Sequence, residues 1–264
     1  MEVEKINRLN NRIMQIKDTK RVLDLEYLEQ DFRKKPKQLH LEIKSLILKN
    51  INKKQKKNFK VADIGCADGQ LLYILNKNNS GLFEIEGSDP QRKLIQKAIK
   101  DNKKNIKFKI GSVLNKNLYK KNSLDIIINT GVLPIFDNYI KFFENLLYWI
   151  KPNGLILIAA LFNDNNYDVN IKYNLSTGKN LDKVKKLSGW NIYSKKTISL
   201  FLKKQKKIQN FKFQDFKLKP TIKYNHKKPL KLWTIKTKKN KNLCINGLSV
   251  ILNQKHLLIR VKKK

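Results

Sequence analysis

Nine consecutive residues, Val61-Ala-Asp-Ile-Gly-Cys-Ala-Asp-Gly69, constrain this chain more than any other segment. An apolar stretch opens directly after the polar, lysine-rich run that ends at Lys60 and stops at a turn of small residues. Leu71, Leu72, Ile74 and Leu75 follow at helical spacing. Strand, glycine turn and helix in that order form the layout of a nucleotide site in an open α/β sheet. Gly65 and Gly69 let the backbone turn sharply and approach a ligand closely. Asp63 places a carboxylate at the strand's end, where it suits a cationic ligand group. A second strand, Leu82 to Glu86, runs into Gly87-Ser88-Asp89-Pro90. An acid at the tip of that neighbouring strand is placed to accept hydrogen bonds from two ribose hydroxyls. Two acids and two glycines together indicate a nucleoside site.

A dinucleotide site is disfavoured, because its fingerprint requires a third glycine three residues after the second, and none stands at 70 to 72. The segment instead resembles the first motif of class I S-adenosylmethionine-dependent methyltransferases, apolar-apolar-Asp-apolar-Gly-Cys-Gly-x-Gly. Asp63, Gly65, Cys66 and Gly69 match, Ala67 replaces the middle glycine, and Asp89 matches the family's ribose-binding acid. The resemblance runs roughly from Phe59 to Leu161. It implies S-adenosyl-L-methionine as cofactor, held by Asp63, Gly65, Cys66, Ala67, Gly69, Asp89, Pro90, Ser112, Val113, Asn129 and Thr130. The family often has an acid after the third strand that accepts from the adenine amine; Ser112 stands there and accepts more weakly.

A length of 264 residues suits one large α/β domain with embellishments. No run reaches the eighteen or so apolar residues of a membrane span, and Leu155 to Phe162 reads as a buried strand. Glu2, Glu4 and Lys5 without an apolar region behind them argue against a signal peptide. Cys66 and Cys244 form no disulfide framework and suit a reducing compartment, so a cytoplasmic location is expected. His40, His226 and His256 lack ligand spacing, and no metal site is expected. The net charge of +37 suggests polyanion binding, but only six of the 58 basic residues are arginine. Bidentate phosphate and base contacts favour arginine. Lysine, asparagine and isoleucine abound from end to end, as AT-rich coding would produce. A nucleic-acid partner is therefore left open but not favoured.

Periodicity predicts helices over Glu4 to Lys20, Arg21 to Phe32 and Leu39 to Ile51, with Pro36 as a break. Tyr27 and Phe32 are candidate cleft contacts. Strands follow at Phe59–Ile64, Leu82–Glu86, Ile106–Ile110, Leu124–Asn129 and Leu155–Leu161, alternating with helices at Gly69–Asn76, Gln91–Asp101 and Phe136–Ile150. Further on come a helix capped by Ser194, a strand over Phe211 to Lys217, a pairing of Leu232–Lys236 with Leu243–Ile245, and a last strand at His256 to Val261. The fold expected is α/β, a Rossmann-like doubly wound, mainly parallel sheet with an antiparallel last strand, an N-terminal helical cap and an elaborated C-terminal segment. Residues 1–52 would form the cap, 53–162 the cofactor-binding core and 163–264 the substrate-recognition segment and final strands.

The fourth strand ends Asn129-Thr130-Gly131. It lacks the prolines and aromatic ring with which base-amine methyltransferases grip a flipped base, and no Pro-Cys pair of a cytosine methylase is present. The C-terminal stretch with Trp-Thr-Ile-Lys, Asn-Gly-Leu and Leu-Asn-Gln is loosely similar to methyltransferases of bacterial surface-polysaccharide gene clusters. The function expected is O-methylation of a small-molecule or saccharide acceptor, with Trp190 and Trp233 as candidate sugar platforms. An RNA methyltransferase and a catalytically silent S-adenosylmethionine-binding protein are the alternatives. A hydroxyl acceptor profits from a general base. Asp137, Asp164, Asp168 and His226 are the ionisable candidates near the expected cleft, with no choice among them.

Overall fold

Aliphatic runs without polar alternation mark strands that are covered on both faces, and the strands here divide their side chains accordingly. In the computed structural model, which describes residues 26–51, 58–79, 81–102, 105–173, 188–216, 232–236, 242–246 and 251–262, five parallel strands carry the first half. They are β1 (Phe59–Ile64), β2 (Phe83–Asp89), β3 (Ile106–Ile110), β4 (Leu124–Thr130) and β5 (Ile150–Asn163). The connecting helices are α2 (Gln70–Asn76), α3 (Arg92–Asp101) and α4 (Tyr139–Trp149), with α1 (Gln38–Asn50) ahead of β1. Ala62, Ile64, Ile127, Ile156 and Ile158 pack with Phe142, Phe143 and Leu146 of α4. Their neighbours Val61, Ile126, Ile128, Leu155 and Leu157 pack on the other face with α1, α2 and α3 through Ile43, Leu72 and Ile95. The period of two along each strand thus sorts one sequence into two hydrophobic layers.

Beyond β5 come β6 (Val169–Tyr173), β7 (Ser188–Ser194), α5 (Lys195–Lys203), β8 (Ile208–Asp215), β9 (Leu232–Lys236), β10 (Asn242–Asn246) and β11 (Ile251–Val261). The strand order is β3-β2-β1-β4-β5-β11-β10-β9, with β8 pairing β11 and β7 pairing β5 and β6. β11 lies antiparallel between β5 and β8, Leu257 opposite Ile158 on one side and Phe213 on the other. The Rossmann-like sheet with an antiparallel last strand is therefore as expected. The short strands β6 and β7 are additions that the sequence reading missed. β1 and β4 are adjacent while their connections depart in opposite directions, which makes the gap beyond their carboxyl ends the switch point where ligands bind in such sheets.

Two boundaries differ from expectation. Residues 1–25, with the helix expected at Glu4 to Lys20, lie outside the described residues. The helix expected over Arg21 to Phe32 is, in its described part, a 3-10 turn at Glu26–Leu28 followed by an irregular strap up to α1. Pro36 disfavours helical geometry just before it, and side chains from elsewhere take up the strap's backbone groups. Gln70 Oε1 accepts from Phe32 N at 2.7 Å, and Gln70 Nε2 donates to Gln30 O at 2.8 Å. α4 begins at Tyr139 rather than Phe136 because Asn138 caps it, its side chain accepting from Lys141 N. Lys151-Pro152-Asn153-Gly154 bulges between the β4–β5 pairings of Leu124 with Ile150 and of Ile126 with Leu155.

Candidate active site

The turn after β1 is held in a shape that few sequences tolerate. Gly65 has φ +83° and Gly69 φ +75°. A Cβ on Gly65 would lie 2.2 Å from Val132 Cγ2, and one on Gly69 would lie 2.6 Å from Phe108 Cζ. Ala67 also adopts a left-handed conformation, φ +49°. Gly65 N and Cys66 N both donate to Ser88 O, at 2.7 and 3.0 Å, fastening the turn to β2. Ala67 N donates to Asp89 Oδ2 at 3.1 Å, and Gln91 N to Asp89 Oδ1 at 2.8 Å. Asp89 is thereby aimed by two backbone amides before any ligand arrives.

Both acids expected from the sequence lie on one cavity of about 330 Å³, within the size range of small-ligand pockets. Gly65, Cys66, Ala67, Pro90, Ser112, Val113 and Thr130 line it as well. Asp63 is buried and its Oδ1 has no hydrogen-bond partner. Burial, and secondly the nearby Asp89 carboxylate, push its pKa up to about 8. Burial raises Asp89 to about 6 against the lowering effect of the Gln91 and Ala67 amides. Burial, with the Asp63 and Asp89 charges behind it, likewise raises the Cys66 thiol, so Cys66 serves as a small apolar wall residue. A buried acid short of partners is a receptor for positive charge.

Two expected cofactor residues play less direct parts. Gly69 is a cap that turns the chain into α2 and does not line the cavity. Asn129 is fully buried behind the wall, its Nδ2 donating to Ile64 O at 2.7 Å, and so ties β4 to the end of β1. Thr130, Gly131 and Val132, next in the chain, do reach the cavity.

Of the cavity's other side the sequence pointed to Tyr27 alone. The strap and the first turn of α1 contribute Tyr27, Lys37, Leu39 and His40, and the 3-10 turn after β4 contributes Ile135 and Phe136. Phe32, the second expected cleft aromatic, is not among the lining residues; Lys37 Nζ stands 4.3 Å from its ring centre and 5.2 Å from that of Tyr27. An ion-pair network secures this strap. Arg33 donates to Asp68 O at 2.7 Å, and its guanidinium lies 3.5 Å from Asp68 Oδ2. Lys97 Nζ meets the same Oδ2 at 2.5 Å and Asp101 at 3.1 Å. Asp68, inside the glycine turn, thus couples the strap to the cofactor loop.

Of the catalytic candidates read from the sequence, Asp137, Asp164 and Asp168 fall outside the wall. Asp137 follows Phe136, and its Oδ1 accepts from Asn191 Nδ2 at 2.8 Å. Asp164 bridges Lys195 at 2.6 Å and Lys255 at 3.2 Å. Asp168 accepts from Ser194 N at 2.5 Å and from Thr197 Oγ1 at 2.9 Å, beside the start of α5. His226 lies outside the described residues, as does the side chain of Trp233. Trp190, in β7, does not line the cavity.

A methyltransferase-domain family model matches residues 55–212, more than half of the chain. The chain belongs to that family. It is similar to the ubiquinone biosynthesis O-methyltransferase of Pelagibacter ubique (strain HTCC1062), 28% identical over 105 residues that make up 40% of this chain and 43% of that protein. The chain therefore spans less than half the length of this curated relative. Its fold is similar to that of the PH0226 protein from Pyrococcus horikoshii OT3, with a TM-score of 0.54 and 15% identity, covering 92% of this chain and 100% of that one. It is also similar to coclaurine N-methyltransferase crystallised with N-methylheliamine and SAH, with a TM-score of 0.51 and 14% identity over 81% of this chain and 66% of that one. The cofactor of this methyltransferase is S-adenosylmethionine. The walls fit it: Asp63 Oδ1 lacks a partner, Asp89 is aimed into the cavity, and the glycine turn leaves backbone where side chains would intrude. Among the described residues no helix is long and apolar enough to cross a membrane.

Proposed function

We propose that the protein transfers the methyl group of S-adenosylmethionine to a hydroxyl of a small acceptor with an apolar or aromatic body. The observation that carries this reading is the cavity itself. Asp63, Asp89 and the glycine turn form one side. Tyr27 of the strap, Leu39 of α1, and Ile135 and Phe136 of the turn after β4 form the other. A space of about 330 Å³ is in the range of small-ligand pockets. The tip of β4, Asn129-Thr130-Gly131, offers no stacking ring for a flipped base. The Pelagibacter relative is an O-methyltransferase by name, which supports oxygen as the acceptor atom.

The turns after β1, β2 and β3 and the end of β4 supply the nucleoside side of this site, while the acceptor side comes from the strap, α1 and the turn after β4; no described residue of 163–264, the segment expected to recognise substrate, lines this cavity. Asp63, Gly65, Cys66, Ala67, Asp89, Pro90, Ser112, Val113 and Thr130 would hold the cofactor, with Gly69 and Asn129 fixing the backbone behind them. When bound, the cofactor supplies a methyl group made electrophilic by its sulfonium. The protein's part is to collect positive charge at Asp63, align the acceptor and shut out water. The test is transfer of labelled methyl from S-adenosylmethionine into fractionated cell extract. Label should enter small hydroxylated compounds, and the saccharide fraction is scored separately. Incorporation confined to RNA or protein would defeat the proposal.

A further inference from the structure

The O-methylation reading requires something to take the acceptor's proton, and the acids on the cavity are already committed. Asp68 is ion-paired with Arg33 and Lys97. Asp89 accepts from two backbone amides. Asp63 is the buried acid that the cofactor's positive charge would neutralise. His40 remains. It stands in the first turn of α1, lines the same cavity as Asp63, Thr130 and Val132, and presents an Nδ1 that is shut from bulk water and makes no hydrogen bond. A buried polar atom without a partner is costly and calls for an explanation. Burial and the Lys37 charge hold its pKa down, to about 4, which leaves the ring neutral with an open lone pair at physiological pH but makes it a weaker base than a free imidazole. His256 also has unpartnered ring nitrogens, but it lies against Phe216 and near Glu42, off the cavity. Position on the wall, more than the missing partner, singles out His40.

We propose that His40 is the catalytic base of the methyl transfer, receiving the acceptor's hydroxyl proton at Nδ1. The acceptor's O–H bond breaks as its oxygen bonds the methyl carbon, the carbon–sulfur electron pair stays on sulfur, and the proton passes to Nδ1, to be lost to water that enters once the products have left. Nε2 carries the ring's proton beforehand. Lys37, on the strap beside His40, favours negative charge on the acceptor oxygen, whereas Asp63, Asp68 and Asp89 on the same wall oppose it. The sulfonium offsets those acids once the cofactor is bound.

This inference rests on the hydroxyl-acceptor reading, so two measurements separate their failures. The first uses protein labelled with ¹⁵N-histidine and saturated with S-adenosylhomocysteine, His40 being assigned by the signal lost in His40→Gln. A neutral ring with one unprotonated nitrogen at pH 7 is expected, and an imidazolium there overturns the proposal. The second follows methyl transfer into the hydroxylated small-molecule fraction. His40→Gln and His40→Ala should lose roughly 10²–10⁴-fold in kcat, keep cofactor affinity, and gain rate with rising pH where the wild type is level. Wild-type kcat in both variants overturns the role of His40 and leaves O-methylation standing. A wild-type protein that binds S-adenosylmethionine but methylates amines alone, or no hydroxylated compound, overturns both.

Discussion

The Ala67 amide donates to the Asp89 carboxylate across 3.1 Å, joining the turn after β1 to the tip of β2. With the Gln91 amide on its other oxygen at 2.8 Å, the carboxylate has one orientation open to it. Asparagine at 89 would set an NH₂ group against one of these N–H donors and remove the charge. Asp89→Asn and Asp89→Ala should therefore weaken S-adenosylmethionine about 10–100-fold, the scale of one or two charge-assisted hydrogen bonds. Calorimetry reads this directly, and unchanged affinity would remove Asp89 from the site.

Asp63 makes affinity and stability respond to pH in opposite senses. Its pKa near 8 in the fold lies far above the ordinary carboxylate value, so between about pH 4 and 8 the native state holds a proton that the unfolded chain does not. Stability without cofactor is fully present below that window and falls as pH rises through it. Ionised Asp63 is the form that attracts a cation, so S-adenosylmethionine should bind more tightly as pH climbs from 6 to 8. Urea denaturation and calorimetry at pH 6, 7 and 8 should show the two opposed trends. Asp63→Asn should flatten both.

Ala67 and Gly65 offer a paired test of the turn. A non-glycine residue in left-handed geometry costs about 1–2 kcal/mol, and Ala67 bears that at φ +49°. Ala67→Gly relieves it but loosens the unfolded chain by about 0.4–1 kcal/mol. A net gain of about 0–1.6 kcal/mol is expected, with cofactor affinity unchanged. Gly65→Ala adds a Cβ 2.2 Å from Val132 Cγ2 at positive φ. It should cost more than about 2 kcal/mol, beyond the usual range of surface substitutions. Thermal denaturation of the two variants should move in opposite directions.

What the sequence made legible was local. Val61 to Gly69 could be read because an apolar run, glycine spacing and a helical repeat follow one another within a few turns of chain. Asp89 was legible because strand tips in such sheets face one crevice. Apart from Tyr27, the acceptor wall was hidden because it forms between distant segments. Arg33 meets Asp68 and Gln30 meets Gln70, pairs separated by 35 and 40 positions. His40 carries no spacing signal, since helical periodicity marks the core face of α1 through Ile43 and Ile47 and leaves the first turn undetermined. β6 and β7 went unread because their pairing, Ile171 opposite Trp190, spans a long connection and no short turn announces it.

Arg33 is expected to act through the strap. It is 8% exposed and ties residues 30–33 to the glycine turn. Removing one partner of a buried ion pair costs about 3–5 kcal/mol, and the remaining Lys97–Asp68 contact should hold Arg33→Met to about 2 kcal/mol. Residues 26–37 should become sensitive to limited proteolysis while the sheet stays intact. An unchanged digestion pattern would show that Gln70 alone secures the strap.

Asp164 and Asp168 stood out in the sequence as acids at the carboxyl edge of β5, and their geometry supports structural parts. Asp168 binds Ser194 N and Thr197 Oγ1, and Ser194 caps α5 by accepting from Thr197 N. Asp168→Asn should lose about 1 kcal/mol, as helix caps do, and keep its turnover. Asp164 is 41% exposed, and its partner Lys255 also meets Asp215 at 2.5 Å. Asp164→Asn should therefore change stability little, since exposed pairs contribute about 0–1 kcal/mol. Denaturation midpoints and methyl-transfer rates should be measured on the same preparations. A variant with wild-type stability and cofactor affinity but no turnover would return that acid to the chemistry and take the proton-accepting role away from His40.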